Sequence, residues 1–209
     1  MINMRNDHYR SGTVRALLET DLVAQQTSLV LKGRLEKEET IIPLFFDTET
    51  FLVLNSVCMR LIPQPDRPDK IDLAGMLDEQ IASGNGNGWR YNQMPPDKIA
   101  WSSGLYGINE TSELMFGEVF TILAEAEQDE VLRSIQSSFA KGKIWEKMPS
   151  DLFFEELLAS LVELYYSHPV AKEEIGEVAF ADAKGWQKIG LNELEAHEPA
   201  PLKKTGDDK

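Results

Sequence analysis

FLVLNSVCMRLIPQPDRPDKIDLAGMLDEQI, residues 51–81, sets the fold class. Phe51, Leu54, Cys58 and Leu61 follow one another at spacings of 3, 4 and 3, one face of a helix over 51–62. Pro63 and Pro65 end it, because proline lacks an amide hydrogen and pushes the preceding residue out of helical geometry. After the acidic, proline-rich turn QPDRPDK, Ile71 to Ile81 reads as a short helix closed by Gly84. Upstream, Asp47-Thr48-Glu49-Thr50 supplies side chains that can cap the first helix.

Outward from this pair the same pattern continues. Residues 13–36 are helix-like, with Thr13 as cap and Leu17, Leu18, Leu22, Leu29, Leu31 and Leu35 as apolar positions. Thr20-Asp21 and Thr27-Ser28 are the expected breaks. Ile41 to Phe46 is a short apolar connector containing Pro43. SGNGNGWRYNQMPPD (83–97) is the most irregular segment, and its glycines permit left-handed backbone. Pro95-Pro96 opens a helix carrying Ile99, Trp101 and Leu105. Two further helices are expected over 111–126 and 128–142, and a strong one over 150–167, capped by Ser150 or Asp151. The stretch 165–190, YYSHPVAKEEIGEVAFADAKGWQKIG, lacks helical periodicity and reads as an aromatic, glycine-punctuated strap. No period-2 strand pattern and no internal repeat is visible. The expectation is an all-α protein: an irregular domain of about six to eight helices with long aromatic loops. It divides into an N-terminal helical extension (1–44), a helical domain (45–192) and a disordered tail (193–209).

Charge and cysteine content narrow the function. The formal net charge of −14 argues against nucleic acid, which needs clustered Lys and Arg, and against an anionic membrane surface. It suits docking on a basic partner face. The single cysteine, Cys58, forbids an intrachain disulfide and lies on an apolar helical face, where an inert thiol is expected. The longest apolar runs, such as IIPLFF at 41–46, fall far short of the roughly 20 residues a membrane span needs. With neither an apolar leader nor a twin arginine in MINMRNDHYRSGTVRALLETDL, the chain is expected in the cytoplasm.

Candidate chemistry is sparse. His8 and His197 sit in polar terminal segments and are expected to be solvated. His168 is either a general base, the core of a small stand-alone hydrolase, or an imidazole bonded at a helix end. Glu173-Glu174 and Asp182 are expected in solvent rather than on a metal, and no HExxH, HxH or EF-hand spacing occurs. GNGNGW matches neither GxGxxG nor GxxxxGK[ST], so no FAD or NAD site is expected in this chain. The aromatic residues Trp89, Tyr91, Trp101, Tyr106, Trp145, Tyr165, Tyr166 and Trp186 concentrate at loops and helix ends. Singly each suits a core edge; together with Arg90 they have the composition of an interaction hot spot. An unrelated scaffold protein would fit that composition too.

Two sets of residues carry a family resemblance. LNSVCMRLIPQPDRPDKIDLAGMLDEQI resembles the N-terminal signature of the gluconate 2-dehydrogenase subunit 3 family, in Arg60-Leu61-Ile62-Pro63, then Asp66, then Leu77-Asp78. FFEELLASLVELYYSHPVAKEEIGEVAFADAKGWQKIG is similar to that family's closing pattern, in Tyr166, Pro169, Gly176, Gly185, Trp186, Ile189 and Gly190. The resemblance covers roughly residues 45–192. It implies a non-catalytic small subunit that binds and stabilises a large FAD-dependent dehydrogenase of the glucose–methanol–choline type, with a cytochrome c subunit often carrying electrons onward. On this reading the chain holds no cofactor, metal or catalytic residue, and FAD belongs to the partner. Trp89, Arg90, Tyr91, Trp101, Tyr166, Pro169 and Trp186 are then the expected partner-binding residues. Family members often travel on a twin-arginine signal, absent here, so a periplasmic site requires a partner carrying its own.

Overall fold

The computed structural model describes residues 10, 12–65, 70–86, 88, 90–183 and 186–198. The expected roles of His8, Asp66, Trp89 and Gly185 therefore lie outside the described residues, as does 199–209, most of the tail expected to be disordered. Among the described residues the protein is all-helical: α1 Thr13–Leu17, α2 Gln25–Glu36, α3 Thr48–Leu61, α4 Leu73–Ser83, α5 Asp97–Phe116, α6 Glu125–Gln136, α7 Ser150–Ser167 and α8 Pro169–Ile175, with one 3-10 turn at Phe120–Ile122. None of these helices is long and apolar enough to cross a membrane. The chain forms two compact units, Glu39–Leu164 and the combination of Met1–Glu38 with Tyr165–Lys209.

In the 39–164 unit, α3 and α6 pack on α5, and α4 packs on α3. Leu54, Val57, Leu77, Leu105, Ile108, Phe120, Val131, Ile135, Phe153, Leu157 and Leu161 are all at most 1% exposed, a continuous apolar core. Two glycines on α5 set its closest approaches. A Cβ on Gly104 would fall 2.1 Å from the Phe153 ring, and one on Gly107 would fall 2.5 Å from Trp145. Trp101 meets Phe153 edge-on at 5.9 Å and Trp145 lies 5.8 Å from the same ring. The Trp145 indole donates to the Thr111 hydroxyl at 2.8 Å, which satisfies its one polar atom.

The helix caps follow the local sequence. Asp47 accepts from the Thr50 amide at the start of α3, and Gly84 closes α4 with φ 71°. Three expectations need correction. The segment 111–126 is not a separate helix: α5 runs unbroken to Phe116 and stops at Gly117, φ 80°. Thr20-Asp21 does break the N-terminal helix, but Thr27-Ser28 lies inside α2, where the buried Ser28 hydroxyl donates to the Leu18 carbonyl at 2.7 Å. Part of the strap is helix: Pro169 is the first residue of α8, whose missing amide hydrogen costs nothing there, and Gly176 ends it with φ 69°.

The other unit has its own small core of Val14, Leu18, Val23, Leu31 and Phe180. Gly12, not the expected Thr13, stands at the N-cap of the short α1 and has no side chain to cap it. Glu173 of α8 does so from 161 residues away, accepting the Gly12 amide at 3.1 Å, the Arg15 amide at 3.1 Å and the Arg15 guanidinium at 3.2 Å. Its carboxylate is only 7% exposed. Glu173 is thus a buried cap rather than a solvated charge, and Glu174 and Asp182 accept from Tyr165 and Thr27.

Candidate functional site

Arg60, near the end of α3, reaches α6. Its Nε and Nη2 donate to the two oxygens of Asp129, each at 2.9 Å, and its Nη1 lies 2.7 Å from Glu125. The hydrogen bonds from Arg60 hold the Asp129 carboxyl below the usual aspartate range. A group with a lowered folded pKa adds stability above its unfolded pKa and loses it as pH falls through the folded one. Arg60→Met should therefore cost about 1 kcal/mol at neutral pH, and the gap from the parent should narrow as pH falls below about 4. Urea titrations at a series of pH values check this; a gap that stays constant would refute it. Beyond Arg60, the Gln64 side chain donates to the Ile71 carbonyl at 3.0 Å and accepts its amide at 2.9 Å.

Two carboxylates of α4 shape the chain that precedes α3. Asp72 caps α4 through the Gly75 amide at 2.9 Å and accepts the Thr40 amide at 2.8 Å with its other oxygen. Asp78, 1% exposed, accepts the amides of Leu44, Phe45 (3.0 Å) and Phe46 (2.9 Å). Three backbone N–H groups of the six-residue connector 41–46, and that of Thr40 just before it, are thereby fixed. Phe46 turns into the core at 6% exposure, while Ile41, Ile42 and Leu44 stand 89%, 80% and 71% exposed. Phe45 lies edge-on to Phe46 at 4.8 Å, with the Lys98 ammonium 5.6 Å from its ring. The Tyr106 hydroxyl donates to Asp47 at 2.8 Å. In sequence, 41–46 shows only as a short apolar connector with Pro43 inside and carboxylates on both sides.

In the other unit, residues 186–194 form a second exposed apolar segment without helical structure. Trp186 is 52% exposed, Ile189 86% and Leu191 93%. Glu195 accepts the amides of Gln187 and Lys188, which hold its carboxyl below the usual range, and Glu193 accepts the Gly190 amide at 3.1 Å. The Trp186 ring lies 5.2 Å from that of His197, so His197 is not simply solvated.

The remaining expected partner-binding residues are divided between the two units. Arg90 is exposed and 3.6 Å from Asp97. The Tyr91 phenol bonds Glu155, which raises its pKa. Tyr166 is half-exposed and meets Tyr165 edge-on at 5.1 Å. Trp101 and Pro169 need correction. Trp101 is 5% exposed because it shares the buried face of α5 with Leu105 and Ile108, and Pro169 is buried at the start of α8.

His168 has both ring nitrogens engaged. Nδ1 accepts the Val170 amide at 3.3 Å, capping α8, so Nε2 carries the proton and donates to the Arg34 carbonyl at 3.0 Å. Arg34 in turn donates to the Ser167 carbonyl at 2.6 Å. A general base needs a lone pair aimed at substrate, and here it is spent on the backbone. Burial and the nearby Asp72 charge push the Cys58 thiol up, against thiolate formation. No cluster of metal-ligating side chains is present among the described residues.

No curated protein and no solved structure matches the chain. The family model described as Gluconate 2-dehydrogenase subunit 3 matches residues 48–192, more than two thirds of the sequence. That span holds Arg60, Asp78, Glu173 and Trp186 together, and the chain belongs to the gluconate 2-dehydrogenase subunit 3 family.

Proposed function

We propose that this chain is a non-catalytic accessory subunit that binds and stabilises a large FAD-dependent sugar or alcohol dehydrogenase subunit. The family makes it a subunit of an oxidoreductase complex. The observation that carries the finer reading is the segment 186–194, where Trp186, Ile189 and Leu191 stand in water on a backbone held by Glu193 and Glu195. Exposed apolar side chains on fixed backbone suit burial by another chain. FAD and the oxidation chemistry would reside in that chain, and a cytochrome c subunit would accept the electrons. The complex would work in the cytoplasm, or in the periplasm when the large subunit supplies the export signal.

Co-expression with a flavoprotein dehydrogenase subunit from the same genome tests the reading. The two chains should co-purify with flavin absorbance, and Trp186→Ala should weaken association by about 30-fold, the size of a hot-spot loss. Because Trp186 is half in solvent, thermal stability of the isolated chain should hold. A flavoprotein that purifies alone, equally stable and active, would reject the assignment.

A further inference from the structure

We propose that Ile41, Ile42 and Leu44 form a preset apolar plug that enters a cleft with a basic rim on the large subunit. The proposal rests on the accessory-subunit reading and concerns a different segment from that of Trp186.

The first ground is the clamp. A loop that must be ordered on binding loses affinity to that ordering, whereas one already fixed does not. Thr40, Leu44, Phe45 and Phe46 all give their amide hydrogens to Asp72 or Asp78. Asp78 is almost completely buried, and a buried carboxylate is retained only where its partners satisfy it. What this arrangement accomplishes is the outward placement of three branched aliphatic side chains, each more than two thirds exposed. Phe46 alone anchors the connector in the core, so the unit's own packing does not account for the other three.

The second ground is charge, and it selects the occupant. Exposed carboxylates flank the plug in sequence: Glu39 on one side, Asp47 and Glu49 on the other. One cation, Lys98, lies close by, over Phe45. The whole chain carries −14. Two copies meeting through this surface would set the same carboxylates against each other, and an anionic lipid surface would be repelled. A protein cleft that is apolar at its floor and lined at its mouth with Lys or Arg meets both requirements.

The experiment is a binding titration of the full chain against the purified flavoprotein subunit. Three forms are compared: parent, the triple variant Ile41→Ser/Ile42→Ser/Leu44→Ser, and Glu39→Lys with Glu49→Gln. The triple variant should keep its melting temperature and lose about 100-fold in affinity, chiefly through faster dissociation. The charge variant should associate about tenfold more slowly at low salt, with the difference gone at high salt. The proposal is overturned if the triple variant binds like the parent while Trp186→Ala does not; the accessory role would survive that result. It is also overturned if light scattering shows a homodimer that the triple variant abolishes. If the parent itself does not bind the flavoprotein, the accessory role fails and this inference with it.

Discussion

Phe153→Ala is expected to lower the unfolding free energy by about 3–5 kcal/mol, enough to leave a domain of ordinary stability marginal. The ring is 1% exposed and is the hub of the aromatic packing in its unit, with Trp101 at 5.9 Å and Trp145 at 5.8 Å. Against it also lies Gly104, whose missing Cβ makes room for the ring edge. Truncating the phenyl opens a cavity against a helix that cannot move inward, because α5 also packs on α3 and α6. Gly104→Ala tests the same contact from the other side. In an isolated helix this substitution would stabilise by about 1 kcal/mol. Here the new methyl would sit 2.1 Å from the ring, so a net loss of about 1–3 kcal/mol is expected instead. The two changes should also couple, since the alanine at 104 fills space that Phe153→Ala vacates. Urea midpoints at unchanged slope measure all three values. A Phe153→Ala loss below about 1 kcal/mol, or additive effects in the double variant, would show that this contact does not organise the core.

Much of the helical framework was legible because it rests on local rules. The 3-4-3 spacing on α3, the Asp47 cap, the proline stop and Gly84 all act within a turn of the residues they control. The errors arose where distant partners decide the outcome. Gly12 offers no cap of its own, and only the fold brings Glu173 to it. Ser28 is a poor helix residue in isolation, yet its hydroxyl finds the Leu18 carbonyl and α2 continues through it. The 165–190 strap hid α8 because seven residues carry too little periodicity to register, and its first turn is fixed by Pro169 and the His168 cap. Gly104 and Gly107 are the places where the Phe153 and Trp145 rings approach α5, and nothing local in sequence marks them as such.

The candidate site was half legible for a related reason. Composition marks which residues are large and aromatic, but burial depends on which helix face the core takes. Trp101 and Trp186 are chemically alike; the first is buried beside Leu105 on α5, the second stands on an irregular segment in solvent. The connector 41–46 carried no hot-spot composition at all. Its importance comes from Asp78, more than thirty residues away in sequence, with Asp72 holding Thr40 just before it, and only the packed α4 reveals these bonds.

Asp78→Ala should be the second most damaging change, at about 3 kcal/mol or more. Three backbone amides lose a charged acceptor at once, and the site lies too deep for water to replace it freely, since Asp78 is 1% exposed. Asp72→Ala, which removes a helix cap and one further amide bond, should cost less, about 1–2 kcal/mol. The loss at Asp78 should also be local in a way the Phe153 loss is not. Amide exchange at Leu44, Phe45 and Phe46 should accelerate more than exchange in α5 or α7, because the connector can leave the surface while the core stays closed. Under the proposed accessory role, function should follow the connector rather than the core: at a temperature where Asp78→Ala remains folded, its affinity for the flavoprotein should fall toward that of the Ile41/Ile42/Leu44 triple variant, although all three side chains are still present. Uniform acceleration of exchange throughout the 39–164 unit would make Asp78 an ordinary core group. Retained affinity in a variant with a demonstrably loosened connector would show that the clamp contributes to folding alone.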